Sequence, residues 1–299
     1  MNLYRRTFDN QAPFPFEFEY KDTKTAQSEL PNHWHDWYEI AYVYSGHGTF
    51  FIDQSYFDAG PGDLFLIPAN TIHYSFPESD NPKTATALFF NAAFTYSAPL
   101  GDAYTYLRAF ELAKRYKAYR HALQSDEQAV VSQSFDLIQR ELTEQKAGYR
   151  QAVQLEVHRL LLFFSRLSGF TTSTSISPDV LPVPDWMKFI LQTIDEQLQN
   201  APLLRLTELA TMANVSTAHL SRSFKKLTGM NITEYVTAKR IIRAKEILQH
   251  SDQNIADIAY DCGFESTTHF HRTFKKLTGE TPASYRQLFI NPKQRSFST

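Results

Sequence analysis

The chain has 299 residues and a formal net charge of −2, and 42% of its residues are hydrophobic and 14% aromatic. This length predicts two domains, and the composition provides enough apolar residues for a core in each. The single cysteine excludes an intrachain disulfide, and with no apolar stretch approaching roughly 18 residues we expect a cytoplasmic protein without a signal peptide or membrane span.

The charge is distributed unevenly along the chain. Residues 1–200 contain 16 Lys and Arg against 24 Asp and Glu, whereas residues 201–299 contain 14 against 8. A basic C-terminal module therefore follows an acidic N-terminal one. A cationic module favours a polyanionic partner, because binding releases the counterions condensed on that partner.

Residues 1 to about 97 are predicted to form β-structure. Short apolar and aromatic runs, such as EIAYVYSGHGTFFID and ATALFFNAAF, alternate with Gly, Pro, Asn and Asp. Short strands that follow one another closely, with turn residues between them, are typical of a sandwich or small barrel. We therefore expect residues 1–100 to form a β-barrel domain.

Residues that can bind a ligand are concentrated near the start of this domain. His33, His35, Trp37 and Glu39 alternate along the chain, and on a strand they share one face because side chains alternate with a period of two. Together with His73, they provide three imidazoles and a carboxylate that could bind a divalent metal ion. The same groups could instead bind the hydroxyls of a small molecule, with Trp37 stacked on a sugar ring, and we favour this interpretation over a metal site or a purely structural role.

A helical pattern extends from about residue 102 to 167, where leucines recur on helical faces among Glu, Gln and Arg. We expect residues 101–168 to complete the first domain or to form a dimer interface. The stretch at 169–184 is rich in Ser, Thr and Pro and is predicted to be a linker. A helix starting at about residue 185 is expected to open the basic module, which extends over 185–290.

The basic module contains one unit twice. The segment FKKLTG at 224–229 returns unchanged at 274–279, and Arg222 recurs 50 residues later as Arg272. A repeat at fixed spacing usually indicates one supersecondary unit built twice. Each copy has the pattern of a short helix, a turn and a second helix that contains Arg and Lys.

The second helix of each copy is predicted to contact DNA. Ser216 and Ser266 are suitable N-caps for these helices, because a serine hydroxyl accepts a hydrogen bond from an exposed backbone N–H. Small residues on such a helix allow close approach to base edges, and an Arg can pair with guanine. With the apolar stripes facing inward, the predicted DNA-binding residues are Thr217, Ala218, Ser221, Arg222, Lys225, Thr267, Thr268, His271, Arg272 and Lys275.

A long helix over about 232–249 joins the two copies. At about 1.5 Å per residue it spans roughly 27 Å. Two recognition helices separated by such a rod could enter successive major-groove faces, which lie about 34 Å apart. This helix also contains four candidate phosphate contacts, some of which we expect to be packed: Lys239, Arg240, Arg243 and Lys245.

The two copies, VSTAHLSRSFKKLTGMNITEYVTAKRI and GFES followed by HFHRTFKKLTGETPASYR, resemble the double helix-turn-helix of the AraC/XylS family of bacterial transcription regulators. The resemblance covers about 100 residues and implies that the second helix of each unit contacts bases. It assigns this role to six of the predicted residues: Ala218, Ser221, Arg222, Thr268, His271 and Arg272.

The histidines also belong to a motif. His33, His35, Glu39 and Gly46, followed by Gly62, Pro68 and His73, resemble the two-part cupin motif H-x-H-x3-E-x6-G and G-x5-P-x4-H. Because the sensing domain of the AraC family has the cupin fold, the two resemblances support each other. They imply a cupin-like effector-binding barrel whose ligand is a small organic molecule.

The sequence thus predicts an α+β multidomain protein, with a cupin-like β-barrel and helices followed by an all-α double helix-turn-helix joined by a long helix. We expect a ligand-responsive, sequence-specific DNA-binding regulator of carbohydrate-related genes. We expect it to activate transcription, and we do not expect it to be an enzyme. Its expected partners are double-stranded DNA, a sugar effector, RNA polymerase and a second copy of the chain, with no cofactor. Two alternatives are a metal-dependent cupin enzyme with a DNA-binding tail and an architectural DNA binder without effector.

Overall fold

The computed structural model of the protein describes residues 4–6, 8–9, 12–25, 33–97, 100–101, 104–167 and 183–290. Apart from residues 4–5, the described residues form two compact units, one over 6–167 and the other over 183–290. The linker predicted at 169–184 lies outside the described residues, apart from Val183 and Pro184. Among the helices of the described part, none has the length and apolar character needed to cross a membrane.

The β-structure forms two antiparallel sheets. The strands are β1 (Tyr4–Arg5), β2 (Phe16–Lys24), β3 (His33–Trp34), β4 (Tyr38–Ser45), β5 (Gly48–Ile52), β6 (Ser55–Ala59), β7 (Asp63–Ile67), β8 (His73–Pro77), β9 (Lys83–Phe90) and β10 (Arg120–Ala122). One sheet has the order β1-β3-β8-β5-β6 and the other the order β10-β7-β4-β9-β2. The ring of Phe50 in β5 stacks on that of Phe65 in β7, with centroids 4.2 Å apart, so the sheets share one apolar interior. The prediction of a sheet-rich, cupin-like domain is confirmed.

Three helices complete this unit: α1 (Arg108–Tyr116), α2 (Ser125–Glu144) and α3 (Tyr149–Phe164). Their buried residues, among them Phe110, Phe135 and Val157, belong to the same hydrophobic core as the strands. Gln124 and Glu127 form a reciprocal capping box that satisfies exposed N–H groups at the start of α2. The role of this segment in dimerisation stays a prediction.

Gly46, the glycine of the first half of the cupin-like motif, is required by a close approach of two backbone segments. Its φ is 78°, and a Cβ at this position would lie 2.1 Å from the carbonyl oxygen of Pro82. No side chain fits at that distance, so the turn between β4 and β5 needs glycine. The sequence motif therefore has a structural cause at this position, independent of any ligand.

The second unit is helical. Its helices are α4 (Asp185–Glu196), α5 (Leu206–Met212), α6 (Thr217–Thr228), α7 (Ile232–His250), α8 (Ile255–Asp261), α9 (Thr267–Thr278) and α10 (Pro282–Ile290). The side-chain oxygens of Ser216 and Ser266 accept hydrogen bonds from the N–H groups of His219 and His269, each at 3.2 Å. The two copies thus repeat the same cap, and the prediction of an all-α double helix-turn-helix joined by a long helix is confirmed.

The stability of the first unit is expected to fall in mild acid because of His121 in β10. Burial lowers the pKa of this imidazole to about 4, whereas an imidazole in the unfolded chain has a pKa near 6.5. Between these values only the unfolded chain takes up the proton, so the free energy of unfolding decreases as the pH falls through this window. His121→Gln should remove about 2 kcal/mol of the stability difference between pH 7.5 and 4.5, measured by urea denaturation.

His47 provides the matched control, because it lies in the same unit and is exposed. We expect the contribution of His121 to the pH dependence of stability to remain in His47→Gln. Equal pH dependence in the wild type and in His121→Gln would contradict the assignment to His121.

Candidate functional site

A buried cluster of metal-ligand type lies where the two sheets meet. Its members are His33 in β3, His35, Glu39 in β4 and His73 in β8, and one donor atom from each lies within 4.8 Å of the others. All four residues are buried. His33 pairs directly with His73 across β3 and β8, whereas Glu39 comes from the other sheet. The cluster therefore depends on the packing of one sheet against the other.

The prediction that alternate residues from His33 to Glu39 share one face of a single strand is wrong. Residues 33–39 do not form one strand, since β3 ends at Trp34 and β4 begins at Tyr38 in the opposite sheet. The ring of Trp37 stacks on Phe8 with centroids 4.4 Å apart and does not line the neighbouring cavity. The backbone carbonyl of Trp37, rather than its ring, contacts the cluster.

Two backbone carbonyls determine which ring nitrogens face Glu39. Nδ1 of His35 lies 2.8 Å from the oxygen of Trp37, and Nδ1 of His73 lies 2.8 Å from the oxygen of Thr71. Because a carbonyl oxygen only accepts, Nδ1 donates in both rings. Both Nε2 atoms then face the same oxygen of Glu39, at 3.1 and 3.0 Å. A neutral ring presents a lone pair there, opposite the carboxylate.

The pKa values of His35 and Glu39 reflect this close approach. Burial lowers the pKa of His35, which favours the neutral ring, although its hydrogen bond to Glu39 acts in the opposite direction. Burial also raises the pKa of Glu39, but the adjacent His73 and His35 outweigh it and hold that pKa well below its usual range. The carboxylate is therefore an anion, and it needs a cation shared with the Nε2 atoms, either a proton on a ring or a metal ion between the three groups.

The donor set fits a divalent first-row transition ion. Three imidazole nitrogens and one carboxylate oxygen suit such an ion, with metal–nitrogen distances of about 2.1 Å. Hydrogen bonds from Nδ1 to backbone carbonyls are also the usual means by which metal-binding histidines are oriented. When bound, the ion would provide a Lewis acid that accepts oxygen ligands, and His33, His35, Glu39 and His73 would hold it.

A cavity adjoins the cluster and contains groups that the sequence analysis did not identify. It encloses about 550 Å³ including its open mouth, and His33, Glu39 and His73 line it together with Lys83 and Phe50. The ammonium of Lys83 is buried, donates to the hydroxyl of Ser75 and lies 4.1 Å from the centroid of the Phe50 ring. The sequence feature that could have identified this group is a lysine, Lys83, at the start of the apolar strand β9.

The predicted DNA-binding residues lie on the outer faces of α6 and α9. Eight of the ten are exposed, and Ser221 and Thr267 are half-buried. Within the described part of the chain, the cations Arg222, Lys225, Arg272 and Lys275 take part in no ion pair. The two faces therefore present unneutralised positive charge at equivalent positions of the repeat, and the assignment of individual base contacts stays a prediction.

The cations of α7 are mostly used within the protein. Lys239 forms an ion pair with Asp195 at 2.9 Å, and Nε of Arg240 donates to the carbonyl oxygen of Leu198 at 3.0 Å. Lys245 is fully buried, with its ammonium 5.4 Å from the centroid of the Tyr285 ring. These three candidate phosphate contacts are packed, as we expected for some of the four, and Arg243 is half-buried.

Two family models match the chain. One, described as an AraC-like ligand binding domain, matches residues 15–161, and the other, described as a helix-turn-helix domain, matches residues 209–288. The probable transcription factor PqrA of Proteus vulgaris is 36% identical over 108 residues, which cover 36% of this chain and 88% of PqrA. The chain belongs to the AraC family of transcription regulators.

Other proteins are similar over longer or shorter parts of the chain. The HTH-type transcriptional activator RhaR of Pectobacterium atrosepticum is 25% identical over 266 residues, 89% of each chain. The solved C-terminal domain of the response regulator yesN from Fusobacterium nucleatum is 30% identical, and the match covers 34% of this chain and 99% of that domain with a TM-score of 0.33. The similarity to an activator over most of the chain favours a regulator over the alternative of a metal-dependent enzyme.

We expect a divalent transition ion to stabilise the protein through the buried cluster. At a free concentration of about 100 times its dissociation constant, Zn²⁺ or Ni²⁺ should raise the free energy of unfolding by about 2.7 kcal/mol. Glu39→Gln should abolish the rise in melting temperature, because a neutral amide replaces the anionic donor. The amide can donate to an Nε2 atom, so this variant should still fold.

His47→Gln is the control for adventitious binding to a surface imidazole, and it should respond to the ions as the wild type does. An ion-induced rise that is the same in Glu39→Gln and in the wild type would show that the ion binds elsewhere.

Proposed function

We propose that this AraC-family protein acts in the cytoplasm as an activator that couples a small molecule in the cavity to DNA binding by two helix-turn-helix units. The observation that carries the proposal is the pair of exposed basic faces on α6 and α9, with Arg222 and Arg272 at equivalent positions and no ion pair for either within residues 183–290. Solvent-exposed guanidinium groups without acidic partners are available for phosphates or for guanine.

The length of α7 supports binding to two neighbouring half-sites. Its 19 residues correspond to roughly 28 Å of helix, close to the spacing of about 34 Å between successive major-groove faces. One chain can therefore place α6 and α9 on the same side of a duplex. The packed cations of α7 support this role, because they stabilise the rod rather than contact phosphate.

The cavity supports a polar effector, for which we propose a sugar. The hydroxyl of Ser75, the ammonium of Lys83 and the imidazoles of His33 and His73 can hydrogen-bond hydroxyl groups, and Phe50 provides an apolar wall. Trp37 was predicted to stack on the ligand, but Phe8 covers its ring. A metal ion in the cluster is compatible with this effector, because sugar hydroxyls can occupy open coordination positions.

Activation requires contact with the transcription machinery, and we propose RNA polymerase as the partner and a homodimer as the active form. The similarity to a transcriptional activator over 89% of the chain supports activation rather than repression. We place the proposed self-association at α2 and α3, where Leu155 on α3 is 69% exposed. Paired copies could bind direct repeats of the DNA site.

Arg222→Ala and Arg272→Ala are each expected to weaken binding to the cognate duplex by about 1–3 kcal/mol and to relax the base preference at one position. The physical reason is the loss of a bidentate guanidinium contact to guanine. The duplex is obtained by selection from a random pool with the wild-type protein, and affinities are measured by fluorescence anisotropy. Selection should be repeated with each variant to locate the relaxed position.

Lys188→Ala is the matched control, because Lys188 is an exposed cation of the same unit that already pairs with Asp185 at 3.2 Å. We expect little change in affinity for this variant. Wild-type affinity and base preference in both arginine variants would refute the assignment of α6 and α9 as recognition helices.

The effector is expected to stabilise the folded protein and to change its affinity for DNA. In a thermal-shift panel of neutral monosaccharides and sugar acids, a binding compound at about 100 times its dissociation constant should add about 2.7 kcal/mol. By linkage, the same compound should change affinity for the selected duplex. Lys83→Met should reduce the shift, and Lys114→Met, a change on the exposed face of α1, should not. A panel without any shift would overturn the sugar assignment.

A further inference from the structure

The turns of the two helix-turn-helix units differ at one equivalent position. Asn214 and Gly263 each lie two residues beyond the end of the first helix of their unit. Both have a left-handed backbone, with φ of 54° and 83°. Asparagine adopts this region more readily than most residues with a side chain, so the backbone conformation alone does not explain the glycine at position 263.

A close approach of α4 explains the glycine. A Cβ at position 263 would lie 2.2 Å from the carbonyl oxygen of Leu198 and 2.9 Å from Nε of Arg240. Leu198 is two residues beyond the end of α4, which ends at Glu196. The chain just beyond α4 is thus seated directly on the turn of the second unit, and the absence of a side chain at Gly263 makes room for it.

Arg240 of α7 stabilises this contact between Leu198 and the turn at Gly263. Its Nε donates to the same carbonyl oxygen of Leu198, at 3.0 Å, and its guanidinium is half-buried. One residue earlier, Lys239 pairs with Asp195 of α4 at 2.9 Å. Cations near the carbonyl end of a helix interact favourably with its partial negative charge, so both contacts anchor the end of α4 to the rod.

The other end of α4 contacts the first unit. The ring of Trp186, in the first turn of α4, lies 5.4 Å from the ring of His219 in α6. His219 directly follows Ala218 on the recognition helix. A single helix therefore contacts the first unit at its start and the second unit at its end.

We infer that α4 fixes the two recognition helices relative to each other, and that Gly263 and Arg240 are positioning residues for simultaneous binding of two DNA half-sites. This inference rests on the proposed DNA-binding function. Without the contacts among Leu198, Arg240 and Gly263, we expect the second unit still to fold, because the N-caps and the apolar stripe of its own helices are unchanged. Its recognition helix then loses the placement that allows both helices to bind one duplex.

The experiment compares two duplexes with the full-length protein. The first is the duplex that the wild-type protein selects from a random pool. The second is the same duplex with the second half-site, the one proposed to contact α9, scrambled. Gly263→Asn, which installs the residue of the first unit, and Arg240→Met should each reduce the preference for the intact duplex by roughly tenfold or more, because the second contact no longer adds to the first. Arg240→Lys should restore part of the preference, since an ammonium can also donate to the Leu198 carbonyl.

Asn214→Gly is the matched control in the first unit and should leave the preference unchanged. The ratio of the two affinities is the decisive quantity, because global unfolding lowers both affinities together and leaves the ratio as it was. Wild-type affinity of each variant for a duplex with the first half-site scrambled should show that the second unit is still folded. An unchanged ratio in both Gly263→Asn and Arg240→Met would overturn the inference while the DNA-binding function stands. A wild-type protein that gains nothing from the second half-site would overturn the two-site function and the inference with it.

Discussion

A charged group that is removed from water needs a partner, and this constraint separates the structural charges of the protein from those available for ligands. Glu39 is buried and has two imidazoles against it, and Lys239 and Arg240 are packed against acceptors at the end of α4. Arg222 and Arg272 are exposed on the faces of α6 and α9 and pair with no acid within 183–290. Within this unit, Lys239 and Arg240 therefore stabilise the fold, whereas Arg222 and Arg272 are available to a ligand.

In the sensing unit, the same constraint defines the character of the cavity. The backbone carbonyls at positions 37 and 71 orient two imidazoles so that their Nε2 atoms converge on one carboxylate oxygen. A divalent ion held by these groups would provide a Lewis acid at the wall of a polar cavity. A ligand with several hydroxyl groups and an ion could then be bound together, which connects the buried cluster to effector recognition.

In the DNA-binding unit, equal sequence does not mean equal surroundings. The two copies share their serine caps and the segment FKKLTG, but the chain just beyond α4 lies against the turn of the second copy, whereas the start of α4 contacts α6 of the first copy. The copy that carries this contact has Gly263, and the other has Asn214. Duplication thus explains the similarity of α6 and α9, and α4, whose segment contacts both copies, is the element that we infer to fix one copy relative to the other.

The sequence by itself determined the features that local interactions control. Ser216, Ser266 and the repeat with its apolar stripes predict two helix-turn-helix units, because caps and helical faces depend on residues within a few turns of one another. The spacing of His33, His35, Glu39 and His73 identified the cluster through a resemblance, although the reason given, one shared strand face, was wrong. The crossing from β3 to β4 places the donors in opposite sheets.

Only the tertiary structure decided which side chains are available. Phe8 covers the ring of Trp37, Lys83 lines the cavity, and α4 takes up Lys239 and Arg240. Each of these outcomes depends on segments far apart in the chain, whose approach no local pattern encodes. Burial and pairing are properties of the packed molecule, and they are what distinguishes a structural lysine or tryptophan from a functional one.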